Sequence, residues 1–292
     1  VLTLVLLAAT TVLPAQAAPP KQPNVIIFLA DDLGWAELGC YGNKFNETPR
    51  LDRMARQGLH FTEAYAAAPV CSPYRASFLT GQFPARHGIL DYLRPDTANP
   101  LSIDHVTLAE MLKKNGYATG MFGKGHLTPQ WEMGPAGPFD RWPTGLGFDR
   151  FYGFPGAETS QFEPDLYDQT TPIAPYIGRD DYHLTEDMAD RAIEWMQRVK
   201  AHRPDKPFLC YFSPGAVHTP LQVPDAWLDR FRGFFDEGWD DHRQSIFERQ
   251  LEMGVIPSGT VNTSRPDAVP SWDEYPDRYK PVARRLMEVF AA

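Results

Sequence analysis

Cysteine is scarce in this chain, with only Cys40, Cys71 and Cys210 among 292 residues. So few thiols exclude a disulfide-built scaffold, and the odd count leaves at least one unpaired. Runs of lysine and arginine are lacking too, and 37 acidic against 28 basic residues give a formal charge of -9. That balance argues against an extended nucleic-acid or anionic-membrane surface. A small anion is a separate matter, because charges beyond a Debye length of about 8 to 10 Å are screened and only a local basic cluster decides the question. There is no internal repeat and no low-complexity linker. The first twenty residues carry no charge, but their apolar run, Val1 to Leu13, is too short for a bilayer span of roughly 20 residues.

What is present is enough for a core. Hydrophobic residues at 43%, aromatics at 13% and charge at 22% lie near globular averages, which excludes wholesale disorder. Proline is abundant, with 28 scattered residues, about twice the usual share, and long stiff loops follow. At roughly 100 to 200 residues per domain, the length allows one large domain or two small ones. Val1 to Leu13 followed by Ala15-Gln16-Ala17 reads as a secretory h-region with a cleavage site after Ala17. Residues 1–17 are therefore expected to be a signal peptide, and the protein to be secreted or periplasmic.

The apolar run Asn24 to Leu29 predicts a strand covered on both faces, ending at Asp31-Asp32. Thr48 and Pro49 predict a helix start with Gly58 as its stop, and Leu59 to Tyr65 a second extended run. Thr107 with Glu110 forms a capping-box pattern before a helix closed by Gly116, and Tyr117 to Phe122 reads as a strand. Met188, Ala192, Trp195, Met196 and Val199 recur at helical spacing after Thr185, and Pro207 to Phe212 gives one more strand. The order predicts an α/β fold, a mainly parallel central sheet flanked by helices. In such sheets ligands bind beyond the carboxyl ends of the strands, which selects Asp31, Asp32, the Cys71 segment, Lys124, His126 and His218. Pro281 to Ala292 patterns as a helix without a Gly, Asn or polar stop, so the fold is expected to be incomplete at the C-terminus, with residues 18–292 the N-terminal part of a catalytic domain. The aromatics Trp227, Phe231, Phe234 and Trp239 are expected mainly in the core.

Cys71-Ser72-Pro73-Tyr74-Arg75 precedes Ala76-Ser77-Phe78-Leu79-Thr80-Gly81. Ser72 as N-cap, Pro73 as first helical residue and Gly81 as stop place Cys71 at a helix N-terminus, where free N–H groups and the dipole favour an anion. Arg75 adds a guanidinium one turn on. A buried cysteine in an ordinary capped helix is the bland alternative.

Cys-x-Pro-x-Arg with the trailing Ser-Phe-Leu-Thr-Gly resembles the signature of the type I sulfatases, in the alkaline phosphatase superfamily, whose cysteine is oxidised to formylglycine. Asn24 to Gly34 resembles that family's first strand and paired metal aspartates. Gly123-Lys124-Gly125-His126-Leu127 resembles its Gly-Lys-Trp-His-Leu-Gly segment, and Pro214 to Pro220 its histidine loop. Four motifs in order, each after a predicted strand, carry the likeness. It implies hydrolysis of a small-molecule or carbohydrate sulfate ester, with Asp31, Asp32 and the modified Cys71 on Ca²⁺ (or Mg²⁺), and Arg75, Lys124, His126 and His218 completing the catalytic set. Lys124 and His126, two apart, would point to one side of an extended segment. A formylglycine-generating maturation enzyme is an implied partner; nucleic acid and a stable membrane span are not. Two departures, Gly125 for Trp and Thr128 for Gly, predict a looser loop there. No match to the family's later Asp-Asn metal pair or its further sulfate-binding lysine precedes Ala292. A phosphonate monoester or phosphodiester hydrolase, or a silent anion-binding homologue, are the alternatives that the same residues allow.

Overall fold

A computed structural model describes residues 22–97 and 99–292. The expected signal peptide, residues 1–17, lies outside the described residues. Six strands form one sheet: β1 (Val25–Phe28), β2 (Ala118–Lys124), β3 (Arg150–Phe154), β4 (Leu166–Asp168), β5 (Thr171–Ile173) and β6 (Phe208–Ser213). Their order is β1-β6-β2-β3-β4-β5. The first four of that order are parallel, and β4 and β5 add an antiparallel edge. The helices are α1 (Pro49–Gln57), α2 (Cys71–Thr80), α3 (Pro84–His87), α4 (Leu108–Lys114), α5 (Leu184–His202), α6 (Asp225–Leu228), α7 (Gly238–Glu252) and α8 (Lys280–Ala291). The α/β expectation therefore holds.

Period-two alternation along the central strands fills two cores. On one face Met121, Leu209 and Tyr211 pack with Ala76, Leu79 and Ala109 of α2 and α4. On the other, Phe122, Phe208, Cys210 and Phe212 pack with Leu184, Met188 and Ala192 of α5. The capping box at Thr107 and Glu110 forms in both directions, as its sequence predicts.

Several expectations are corrected. β1 is covered on one face only: Val25 and Ile27 pack inward, whereas Ile26 and Phe28 are 60% and 54% exposed, because β1 is an edge strand beyond the reach of α5. Leu59 to Tyr65 forms no strand; no neighbouring strand is available to it, and Leu59, Phe61 and Tyr65 stay exposed. Ser72 does not cap α2. Val70 holds that position, and the buried Ser72 hydroxyl accepts from the Leu93 N–H instead. Thr48 holds the cap position of α1 but makes no cap bond, since its hydroxyl accepts from Gly39 N–H and donates to Asp52. Trp227 and Phe234 are exposed, and only Phe231 of that aromatic group is fully buried.

Candidate functional site

The carboxyl ends of β1, β6 and β2, neighbours in the sheet, converge on the N-terminus of α2. β1 delivers Asp31, β2 ends on Lys124, β6 ends on Ser213, and α2 opens with Cys71. The strand ends approach closely because two glycines allow it. Gly123 has φ 121, and a Cβ there would stand 1.9 Å from the Ser213 carbonyl oxygen. A Cβ on Gly153 would stand 2.0 Å from the Gly123 oxygen.

Arg75 is buried and binds all three strand ends. Its guanidinium donates to the Lys124 carbonyl at 2.8 Å, the Ser213 hydroxyl at 2.6 Å and Asp31 Oδ1 at 3.1 Å. Lys124, fully buried, donates from Nζ to Asp31 Oδ2 at 2.5 Å and to Cys71 Sγ at 3.4 Å. Burial pushes the Asp31 carboxyl up, but Arg75 and then Lys124 more than offset this, so it is held below its ordinary range. Opposite charges at 4 Å are worth about 4 kcal/mol at an effective dielectric of 20, so this local cluster outweighs the acidic surface. Burial raises the Cys71 thiol and the Lys124 ammonium only partly counters it, so the helix N-terminus does not make a thiolate here.

His126 is also buried, and Leu93 supplies a carbonyl 3.4 Å from its Nε2. Nε2 therefore carries the proton, and Nδ1 is a bare acceptor with no partner. Burial first and Lys124 second depress its pKa to about 4, so the ring is neutral at neutral pH. Lys124 and His126 do not share an extended segment: β2 stops at Lys124 and His126 takes φ 52. Nor is the loop loose. Residues 125 to 129 are buried, Gly125 N–H donates to the Phe154 carbonyl at 2.9 Å, and the Thr128 hydroxyl donates to the Arg141 carbonyl at 3.0 Å.

His218 arrives on a loop tied to β1, where Val217 N–H donates to the Asp31 carbonyl and Asp31 N–H to that of Ala216. Its Nδ1 donates to the Thr219 carbonyl at 2.6 Å, leaving Nε2 to face Asp32 Oδ2 at 3.7 Å. Glu158 lies 3.9 Å from Nδ1. Asp31, Cys71 and His218 each offer a ligand atom within 4.8 Å of the others. Asp32, with φ 58 and an exposed carboxylate, stands beside this group rather than in it. A cavity of about 290 Å³ opens between Asp31, Asp32, Cys71, Tyr74 and Arg75.

All seven residues selected from the sequence thus fall in one region. Missed were Ser213, Glu158 and the carbonyls of Leu93 and Thr219. Ser213 had a signal, as the last residue of a predicted strand's extension; the others had none.

A family model described as Sulfatase matches residues 23–280. Arylsulfatase A of Homo sapiens is 35% identical over 265 residues, covering 84% of this chain and 50% of that protein. A putative sulfatase, yidJ, from Bacteroides fragilis shares the fold with a TM-score of 0.69 at 23% identity, over 96% of this chain and 57% of that one. A structure solved with its substrate D-glucosamine-2-N,6-O-disulfate matches with a TM-score of 0.58 at 26% identity, over 74% of this chain and 38% of that one. The chain spans half or less of the length of the first curated relatives it matches. Among the described residues no helix is long and apolar enough to cross a membrane.

Proposed function

The chain belongs to the sulfatase family, and from that premise we propose that it carries the nucleophile end of an enzyme hydrolysing a sulfate monoester to an alcohol or phenol and inorganic sulfate. The observation that carries this reading is Cys71 at the head of α2, 3.4 Å from the Lys124 ammonium, which itself holds Asp31. A thiol kept protonated by burial is a poor nucleophile, so this reading assigns the attack not to the thiol but to the formylglycine that the family resemblance implies, made from Cys71 by a maturation enzyme. The hydrated aldehyde offers hydroxyl oxygen in place of sulfur.

The donor chemistry bears on the metal. With sulfur at residue 71, the Asp31, Cys71 and His218 atoms form a mixed oxygen, sulfur and nitrogen set suited to a borderline ion such as zinc. With oxygen there, Asp31 and residue 71 would supply hard donors, and Asp32, which stands beside them, would join them as part of the oxygen set that Ca²⁺, or Mg²⁺, takes. When bound, such an ion supplies Lewis-acid polarisation and lowers a hydroxyl pKa.

The chain's own side chains do the rest. Lys124 and the first turn of α2 bind sulfate oxygens. Arg75 positions Asp31, Lys124 and Ser213. His126 Nδ1, neutral and unpartnered, takes the proton of the attacking hydroxyl. His218, its Nδ1 donating to the Thr219 carbonyl and its Nε2 facing Asp32, acts as the doubly protonated imidazolium and gives the Nε2 proton to the departing alcohol oxygen as the sulfur–oxygen bond breaks. Export to a secreted or periplasmic location and the reading of residues 18–292 as the N-terminal part of the catalytic domain belong to the same proposal.

The test is peptide mass spectrometry of the Cys71 segment from the natural host, with turnover of an aryl sulfate by the full-length protein. An aldehyde at residue 71 and sulfate release abolished by a chelator are expected. An intact thiol in host protein, or faster turnover of a phosphonate ester, overturns the reading.

A further inference from the structure

His218 lies in the loop from Pro214 to Pro224, between β6 and α6. Pro214, Pro220 and Pro224 carry no N–H, so the loop has fewer main-chain donors with which to fix itself. Its first half is fastened by the main chain. Val217 N–H donates to the Asp31 carbonyl at 2.9 Å, and His218 N–H to that of Gly215 at 3.0 Å. A loop held at one end only would let the imidazole swing, and displacing a catalytic group by an ångström costs on the order of 100-fold in rate.

The second half is fastened by Gln222, one residue beyond Leu221 and two before Pro224. Its side-chain Oε1 accepts from the Gln161 N–H at 2.7 Å and from the Ser160 hydroxyl at 3.2 Å, and its main-chain carbonyl accepts from His183 Nε2 at 3.3 Å. The segment that receives Gln222 is itself anchored. Gln161 is buried; its carbonyl accepts from the Leu184 N–H at 2.8 Å, where α5 begins, and its Oε1 from the Thr185 hydroxyl at 3.2 Å. The Ser160 hydroxyl accepts from the Phe162 and Glu163 N–H groups, which turns its own proton toward Gln222. Gln161 also lies under the start of the loop, since a Cβ on Gly215 would stand 3.6 Å from its Nε2. One buried residue thus meets both ends of the loop that carries His218.

We propose that Gln222 is a positioning residue for the proton donor: by clasping residues 160 and 161 it holds the His218 loop so that Nε2 faces the departing oxygen. The inference rests on the sulfatase reading above. Gln222 acts through His218 rather than on the ester. Its loss is therefore felt where the sulfur–oxygen bond breaks and the bridging oxygen takes the Nε2 proton, in proportion to how much the leaving group needs that proton.

The experiment uses the full-length, aldehyde-bearing protein. It compares kcat and KM for 4-nitrophenyl sulfate, whose phenolate departs readily, with those for 4-methoxyphenyl sulfate, whose phenolate needs the proton. The two esters are alike in shape, so binding is held constant. Gln222→Leu removes the acceptor, and Gln222→Glu keeps it. Gln222→Leu is expected to lower kcat for the methoxyphenyl ester about 30-fold and for the nitrophenyl ester no more than about threefold, with both KM values within about twofold. Gln222→Glu is expected to bring the methoxyphenyl ester back to within about threefold of the unsubstituted protein. Retained turnover of the nitrophenyl ester shows that the variant is folded. An equal loss on both esters, a loss confined to KM, no loss on either, or a Gln222→Glu protein as impaired as Gln222→Leu overturns the inference and leaves the sulfatase reading standing. Unsubstituted protein that hydrolyses only the nitrophenyl ester also overturns the inference, and hydrolysis of neither ester overturns the sulfatase reading with it.

Discussion

The Lys124 ammonium stands 3.4 Å from the Cys71 sulfur, yet the thiol is held above its ordinary pKa, because burial outweighs the neighbouring positive charge. Cysteine-bearing protein made without a maturation enzyme is thus expected to alkylate slowly. Iodoacetamide should label Cys71 more slowly at pH 8 than it labels free cysteine, and Lys124→Met should slow it further by several-fold, since the charge that favours thiolate is gone. Time-resolved mass spectrometry of the peptide checks this; faster labelling in the variant contradicts it.

Arg75 makes its three contacts as a planar fork, which a lysine cannot copy. Arg75→Lys is expected to leave at least two of the Lys124 carbonyl, Ser213 hydroxyl and Asp31 without a donor. The cost should be about 2 to 4 kcal/mol in urea unfolding. A loss under about 1 kcal/mol would mean that water replaces the fork.

His126 sets a pH dependence of stability. Its folded pKa is about 4 against an ordinary 6.5, so the unfolded chain binds the extra proton first as pH falls. Stability from this group is complete above pH 6.5 and declines down to pH 4, by roughly 2 kcal/mol between pH 6.5 and 5. His126→Gln should flatten that part of the curve, measured by unfolding at pH 7 and pH 5. An unchanged slope would assign the proton uptake elsewhere.

His87 fastens the helix that carries Cys71. It is buried, its Nδ1 accepts from Ile89 N–H at 3.2 Å, and its Nε2 accordingly donates to the Ser77 hydroxyl at 3.0 Å. Since the imidazole donates to Ser77, it does not activate that serine. His87→Leu should cost about 2 to 4 kcal/mol by leaving both groups unsatisfied, read as a fall in the unfolding midpoint. His87→Gln should recover part of it.

The positions that converge on the candidate site were more legible than the short strands at the sheet's antiparallel edge, for a physical reason. Each selected residue follows a strand or opens a helix, and those positions are marked locally: Asp31 by the end of an apolar run, Cys71 by Pro73 and Gly81, Lys124 and His126 by glycines. The strands β3, β4 and β5 carry no such mark. They are five, three and three residues long, and β5 has Pro172 at its centre, so only pairing with the grown sheet defines them. Leu59 to Tyr65 has the opposite character, with strand composition but no partner. Ser72 shows that a good capping residue is captured by a non-local donor, the Leu93 N–H, when the helix start is buried.

The bare backbone at Gly123 has a consequence for tolerance. Its contact with Ser213 fixes how far apart β2 and β6 end, and the Arg75 guanidinium nitrogen that reaches both the Lys124 carbonyl and the Ser213 hydroxyl gauges that same gap. One added methyl group at residue 123 would widen the gap past what a single nitrogen can bridge. A substitution that adds one methyl group and no charge would then open the seam between two strands and release the anchor beneath the nucleophile.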